Sequence, residues 1–131
     1  MNFFSKKPLL LTSAFFCGFL LISPIASAAG KTAKCQIDEN GKTIYKGKCT
    51  FTPQGNGSFY LSGTSLSKSI GLEGLMVWME EKNVAVVQGP KFRGGAETWG
   101  QAVRSTTQKA CWVGEGNSFK VCAWWKLWEI F

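Results

Sequence analysis

The chain has 131 residues, of which fifteen are lysine or arginine and eight are aspartate or glutamate, and it contains no histidine. The usual general base of serine and cysteine hydrolases and the commonest zinc ligand are therefore missing. Paired carboxylates remain, but Asp38, Glu80, Glu81 and Glu115 fall in or beside predicted turns, where solvated charge is the rule. We expect a protein that is not an enzyme, with no catalytic residues, no metal and no cofactor.

The N-terminus has the features of a secretory signal peptide. Lys6 and Lys7 precede an apolar run of about fifteen residues, and Pro24 then precedes the small residues Ala26 and Ala28. A transmembrane anchor is the alternative, but the run is shorter than the roughly 18–20 residues that cross a bilayer. We predict a signal peptide at residues 1–28, a single β-rich domain at 29–131 and no transmembrane segment after cleavage. The expected location is periplasmic or secreted.

The mature chain is basic. Without Lys6 and Lys7, thirteen basic residues face eight acidic ones, a net charge of +5. Such a domain is attracted to anionic glycans and lipid headgroups, although solubility alone also explains the charge. Nucleic acid is not an expected partner, because the basic residues are dispersed and the chain carries an export signal.

Four cysteines follow the predicted cleavage site: Cys35, Cys49, Cys111 and Cys122. An even number in a short exported chain predicts two disulfides, with three possible pairings. The hairpin signals around the cysteines favour pairing each one with its neighbour in sequence, Cys35 with Cys49 and Cys111 with Cys122.

The first hairpin is predicted at the two-residue turn Asn40-Gly41. This turn pairs Ile37 with Ile44, which leaves Cys49 three residues past the position opposite Cys35. A bulge at Gly47 in the second strand would absorb the excess.

The next segments also read as strands. In the strand that follows the first turn, Tyr45, Cys49 and Phe51 share one face and Lys46 and Lys48 share the other, the pattern of a half-buried strand.

A further hairpin is predicted from residues 76–79 and 84–87, with its turn near 80–83. The continuous apolar character of its two strands predicts burial on both faces or a central position in the sheet. From Pro90 to Cys111 the chain reads as a long, glycine-rich, basic connection with one helical turn around 97–104.

The last hairpin turns at Gly116-Asn117, which places Cys122 opposite Cys111 and Lys120 opposite Val113. Directly opposed cysteines in a non-hydrogen-bonded pair lie within disulfide reach.

The aromatic tail continues this last strand. Its odd positions from Phe119 onward form an apolar face that we expect in the core, and its even positions mix Trp124 and Trp128 with Lys120 and Lys126. A helix and a binding surface are the alternatives for this segment. The whole pattern predicts an all-β, mainly antiparallel fold: a small disulfide-stapled β-sandwich or open barrel built from hairpins.

Candidate binding residues combine aromatic and cationic side chains, the types that binding hot spots favour. We select six of them: Lys91, Phe92, Arg93, Arg104, Trp124 and Trp128.

The chain resembles a group of small, uncharacterised exported bacterial proteins in the layout "C-x-I…G-K…G-K-C-x-F…G-S-F…C-W-V…V-C-A", which begins at Cys35 and ends at Ala123. This resemblance implies disulfides and turns rather than an activity. In size and disulfide-bearing β character the chain is distantly similar to periplasmic lysozyme inhibitors. It departs from them in lacking a Ser-Gly-x-x-Tyr loop, and a basic domain is a poor partner for basic lysozymes.

These observations lead to two functional hypotheses. The first is a small exported non-enzymatic binding protein of the cell envelope, which contacts an anionic glycan or lipid surface or a partner protein. The alternative is an inhibitor or immunity protein against a cell-wall hydrolase or toxin.

Overall fold

The computed structural model describes residues 30–124, so the predicted signal peptide and the tail from residue 125, with Trp128, lie outside the described residues. Within this range the elements are β1 Lys31–Glu39, β2 Lys42–Gly55, β3 Ser58–Ser62, α1 Thr64–Ile70, β4 Gly74–Glu81, β5 Val84–Pro90, β6 Ala96–Arg104, β7 Cys111–Gly114 and β8 Phe119–Trp124, with a 3-10 turn at Glu115–Asn117. The helices of this described part are too short to cross a membrane.

Each strand pairs antiparallel with the next one, and β8 pairs with β1, so the sheet closes into a barrel. Across the closing pair, Ile37 lies opposite Val121 and Cys35 lies opposite Ala123. The prediction of an all-β, mainly antiparallel, disulfide-stapled fold is confirmed. Of the two forms expected, a β-sandwich or an open barrel, the structure has the barrel, and this barrel is closed. Because the barrel is closed, each strand pairs with a neighbour on both sides.

The core fills the barrel interior. Side chains alternate between the inside and the outside of each strand, and an eight-stranded barrel is just wide enough for its inward side chains to fill it. The fully buried interior residues include Ile37, Leu61, Val77, Val87 and Val121. The short helix α1 adds to them, since its Leu66 is also fully buried in this cluster. Gly71 ends the helix in the left-handed conformation, with φ 75°.

The connections between strands gather at the two ends of the barrel. At one end, which we call the helical end, lie α1, the turn 40–41, the loop 91–95 and the turn 115–117. At the other, the distal end, lie the turns 56–57 and 82–83 and the connection 105–110, which we call the distal loop.

Both predicted disulfides are present, Cys35–Cys49 and Cys111–Cys122. Two disulfides in one small domain indicate an oxidising environment outside the cytoplasm. The last hairpin has the predicted register, with Cys111 opposite Cys122 and Val113 opposite Lys120. Its turn residues have positive φ angles of 64° at Gly116 and 57° at Asn117, as a primed turn requires.

The register predicted for the first hairpin is wrong by one residue. Ile37 lies opposite Tyr45, because the bulge lies next to the turn, with Ile44 and not Gly47 as the extra residue. Cys35 is therefore opposite Gly47, and its disulfide reaches diagonally to Cys49, two residues further along β2.

One further expectation is wrong, and another is wrong in one of its two alternatives, since β4 and β5 do have paired strands on both sides. Residues 97–104 form most of strand β6 rather than a helical turn, because this segment supplies the pairing that β5 and β7 need for closure. The hairpin of β4 and β5 is not buried on both faces: Val77 and Val87 point inward, whereas Trp78 lies on the outer wall and is 52% exposed.

Candidate functional site

A basic surface covers the outer wall of β8, β1 and β2. In one row across these strands Lys34 lies between Trp124 of β8 and Lys48 of β2, and in the next row Gln36 lies beside Lys46. The three lysines are exposed. Lys34 and Lys48 are directly opposed like charges, an arrangement that costs stability in an antiparallel pair.

Within residues 30–124, no carboxylate neutralises these three lysines. Among residues 30–124, a salt bridge joins Lys120 Nζ to Asp38 Oδ2 at 3.6 Å. This pair lies one row beyond Gln36, toward the helical end. Lys34, Lys46 and Lys48 have no carboxylate oxygen within salt-bridge distance in this part of the chain. Their ammonium groups therefore remain available to an external anion.

A groove on this wall joins the basic residues to an aromatic one. Lys34, Gln36, Lys46, Gln108 and Trp124 line a cavity of about 260 Å³, which we call the wall groove. Lysine ammonium groups attract carboxylate, sulfate or phosphate, amide side chains bind hydroxyl groups, and an indole offers a flat apolar face with a polar edge. The groove thus combines the groups that recognise an acidic sugar.

Asp38 forms hydrogen bonds that fix side chains on the wall beside the groove. Its carboxylate accepts hydrogen bonds from Thr43 Oγ1 at 2.8 Å and from Gln36 Nε2 at 3.1 Å. Burial raises the pKa of Asp38, but the hydrogen bonds from Thr43 and Gln36 and the Lys120 ammonium together outweigh it, so the pKa lies below its ordinary value of 3.8. Lys120 Nζ also donates to Gln108 Oε1 at 3.2 Å, which ties the distal loop to the wall.

A second basic cavity lies at the distal end. Asn83, Arg104, Ser105, Thr106 and Lys109 line this distal pocket, whose volume is about 320 Å³. The part of its lining that comes from residues 30–124 contains two cationic side chains and no carboxylate. A small anion is the ligand that such a lining suits best.

The guanidinium of Arg104 is held in place by a buried aromatic side chain. It lies over the ring of Trp112, with Cζ 5.0 Å from the ring centroid, and Trp112 is buried, with 2% of its surface exposed. Arginine over an indole face is a favourable cation–π arrangement that leaves the edge donors of the guanidinium free for a ligand.

The distal loop between the two cavities is ordered by its own hydrogen bonds. Ser105 Oγ accepts from the backbone N–H groups of Thr107 at 3.2 Å and Gln108 at 3.0 Å. The backbone N–H of Ala123 donates to Ala110 O at 3.1 Å, which fastens the end of the loop to β8. The loop therefore holds side chains of both cavities in fixed positions.

The predicted binding residues do not form one surface. Lys91, Phe92 and Arg93 lie in the loop 91–95 at the helical end, where Phe92 is 60% exposed. Arg104 lies at the distal end of β6. This strand has nine residues and is therefore about 30 Å long. Trp124 lies on the wall at the distal end of β8, so the structure brings Trp124 and Arg104 to the same end of the barrel and leaves the loop 91–95 at the other.

Sequence reasoning missed most of the residues that accompany Trp124. The outward orientation of Lys46 and Lys48 is visible in the alternation of β2, but only the closing of β8 onto β1 places Lys34 next to Trp124. Gln108 and Lys109 lie in a loop with no periodic pattern, so no sequence signal assigns them to a site. No cluster of three or more potential metal ligands occurs in residues 30–124.

Comparison with protein-family models, with curated proteins and with solved structures gave no match to this chain. The function of this protein must therefore be inferred from the residues of the wall groove and the distal pocket.

Proposed function

We propose that this protein is a small exported, non-enzymatic binding protein, periplasmic or secreted, that contacts an anionic component of the cell envelope. The observation that supports the proposal best is the exposed pair Lys34 and Lys48, directly opposed and without a carboxylate partner in the described range. A fold gains nothing from placing two like charges side by side on a wall. An anionic ligand that neutralises both converts this cost into binding free energy.

The neighbouring side chains support the same function. Trp124 flanks Lys34 on one side, and Gln36 and Lys46 form the next row, so charge, stacking and hydrogen-bonding groups converge on one groove. A net charge of +5 for the mature chain adds long-range attraction to an anionic surface.

A pull-down from an envelope extract tests this function. The oxidised protein, purified after expression of the full chain, is immobilised and the bound material is eluted by a salt step. We expect retention of glycan or lipid at low salt and its loss at high salt, because the interaction is between exposed charges. The Lys34→Gln/Lys48→Gln variant should lose most of this retention.

A matched control separates the wall from net charge. Lys68→Gln/Lys82→Gln also removes two exposed lysines, one on α1 and one in the turn 82–83, and should retain as much material as the unchanged protein. Equal losses in both variants would contradict a localised site. One protein retained at equal stoichiometry in high salt would instead support the inhibitor or immunity function.

A further inference from the structure

We propose that the ligand is a linear acidic glycan, and that it spans two anion subsites on either side of the distal loop. This inference depends on the proposed function and specifies its ligand. The wall groove supplies one subsite and the distal pocket supplies the other.

The two cavities share the distal loop as a common wall. Gln108 lines the wall groove, whereas Ser105, Thr106 and Lys109 of the same loop line the distal pocket. A ligand that leaves one cavity across this loop therefore meets the other.

Each cavity has its own pair of cations. The wall groove has Lys34 and Lys46, and the distal pocket has Arg104 and Lys109. Among the residues that the structure describes, neither lining includes an aspartate or glutamate. Two separated cationic pairs match a ligand that carries a negative group on successive units rather than a single headgroup.

The size of the cavities points in the same direction. Their volumes, about 260 and about 320 Å³, are close to the lower limit of pockets that enclose a whole small-molecule ligand, ~300 Å³. Each cavity thus suits one unit of a longer chain. Trp124 and the amides of Gln36 and Gln108 suit a sugar unit in particular, because an indole stacks on a sugar ring and amides bind its hydroxyl groups.

The Arg104 side chain is already positioned to bind an anion. Because its guanidinium already lies over the buried Trp112, little side-chain freedom is lost when an anion binds. Linkage between the sugar units also raises the affinity. Once one unit is bound, the next unit is held at a high effective concentration near the second subsite.

The test is binding of size-defined oligosaccharides to the oxidised protein, measured by fluorescence anisotropy of a label on the glycan. The probes are sulfated uronic-acid oligosaccharides from the disaccharide upward. We expect the affinity of the unchanged protein to rise by about 10²-fold once the chain is long enough to reach both subsites. Further lengthening should add little.

Variants of each subsite make the test specific. Lys34→Gln/Lys46→Gln and Arg104→Gln/Lys109→Gln should each reduce the long-chain affinity to that of a short chain, whereas the control Lys68→Gln/Lys82→Gln should keep the step with length. If Arg104→Gln disturbs folding, Arg104→Lys takes its place. It retains the charge but not the planar fork, and should give an intermediate affinity.

Three results would overturn the inference and leave the proposed function standing. They are an affinity that does not depend on length, a distal-pocket variant that binds long chains as well as the unchanged protein does, and preference for anionic phospholipid vesicles over every glycan. Absence of binding to glycans and vesicles alike would contradict the proposed function itself.

Discussion

Lys34 shows how one residue is placed by the closing of a barrel. It projects from the outer face of β1, has Lys48 directly opposite it on β2 and has Trp124 directly opposite it on β8. On the inner face of the same strand, Cys35 and Ile37 are fully buried. A single alternating strand thus contributes both to the core and to the candidate site.

The Lys34 side chain should reduce the stability of the free protein. Lys34→Gln removes the repulsion with Lys48 and should raise the free energy of unfolding by roughly 0.2–0.5 kcal/mol. Urea denaturation at low salt measures the gain, which should shrink at high salt because the charges are screened. Lys68→Gln serves as the control without an opposed lysine, and a loss of stability in Lys34→Gln would show that Lys34 has a stabilising partner.

Asp38 should make the stability of the folded protein depend on pH in the acid range. Its pKa in the folded protein is below the ordinary value of 3.8, so the stability it contributes is fully present above that value and is lost as the pH falls through the folded-state pKa. Asp38→Asn should therefore be less stable than the unchanged protein at neutral pH. The difference should disappear in acid, as thermal denaturation across pH can measure, and a constant difference would contradict the role of the charge.

At the scale of elements, the two terminal hairpins differ in how far their sequence determines their pairing. The last hairpin has a tight turn with no bulge, so counting outward from Gly116-Asn117 gives the correct partner for Cys111. The first hairpin has an equally clear turn at Asn40-Gly41, but the adjacent bulge shifts every later pair by one residue. Bulges depend on how a strand must twist to join both neighbours, which local sequence does not encode.

The disulfides should stabilise the two hairpins to a similar extent. Their cysteines are separated by 14 and 11 residues, so in the chain-entropy description each cross-link contributes about 3 kcal/mol. Replacing either pair with alanine should lower the free energy of unfolding by at least this amount, because all four cysteines are buried and their sulfur atoms also fill space. Chemical denaturation measures the loss.

Chemical reduction of the unchanged protein is the matched comparison for the disulfide variants. It opens both cross-links without changing a side chain other than cystine, and should destabilise the protein more than either alanine pair does. A loss below about 1 kcal/mol for an alanine pair would mean that the unfolded chain is already constrained in that region.

At the scale of the whole molecule, closure determines both the stability and the site. The pairing of β8 with β1 completes the core, through the opposed pair Ile37 and Val121, and completes the wall groove, through Lys34 and Trp124. The all-β class, both disulfides and the outward face of β2 could be predicted from local patterns. The groove could not, because its residues come from β1, β2, the distal loop and β8, and only the closed sheet brings them together.

The same reasoning explains the two predictions that failed in the middle of the chain. Strand β6 contains Gly100, with φ 127°, and few residues of high strand propensity, so its pattern is weak on its own. Trp78 and Val86 are apolar residues on the outer wall, opposite each other, and a continuous apolar run does not reveal which of its members face outward.

The central claim is that an anionic ligand binds at the wall groove and not at the basic loop 91–95 of the helical end. The most direct measurement is a two-dimensional amide and indole NMR titration of the oxidised protein with a sulfated uronic-acid disaccharide. We predict shifts at Lys34, Lys46, Gln108 and the indole N–H of Trp124. Shifts confined to the loop 91–95 at the helical end, or spread evenly over all exposed lysines, would contradict the claim.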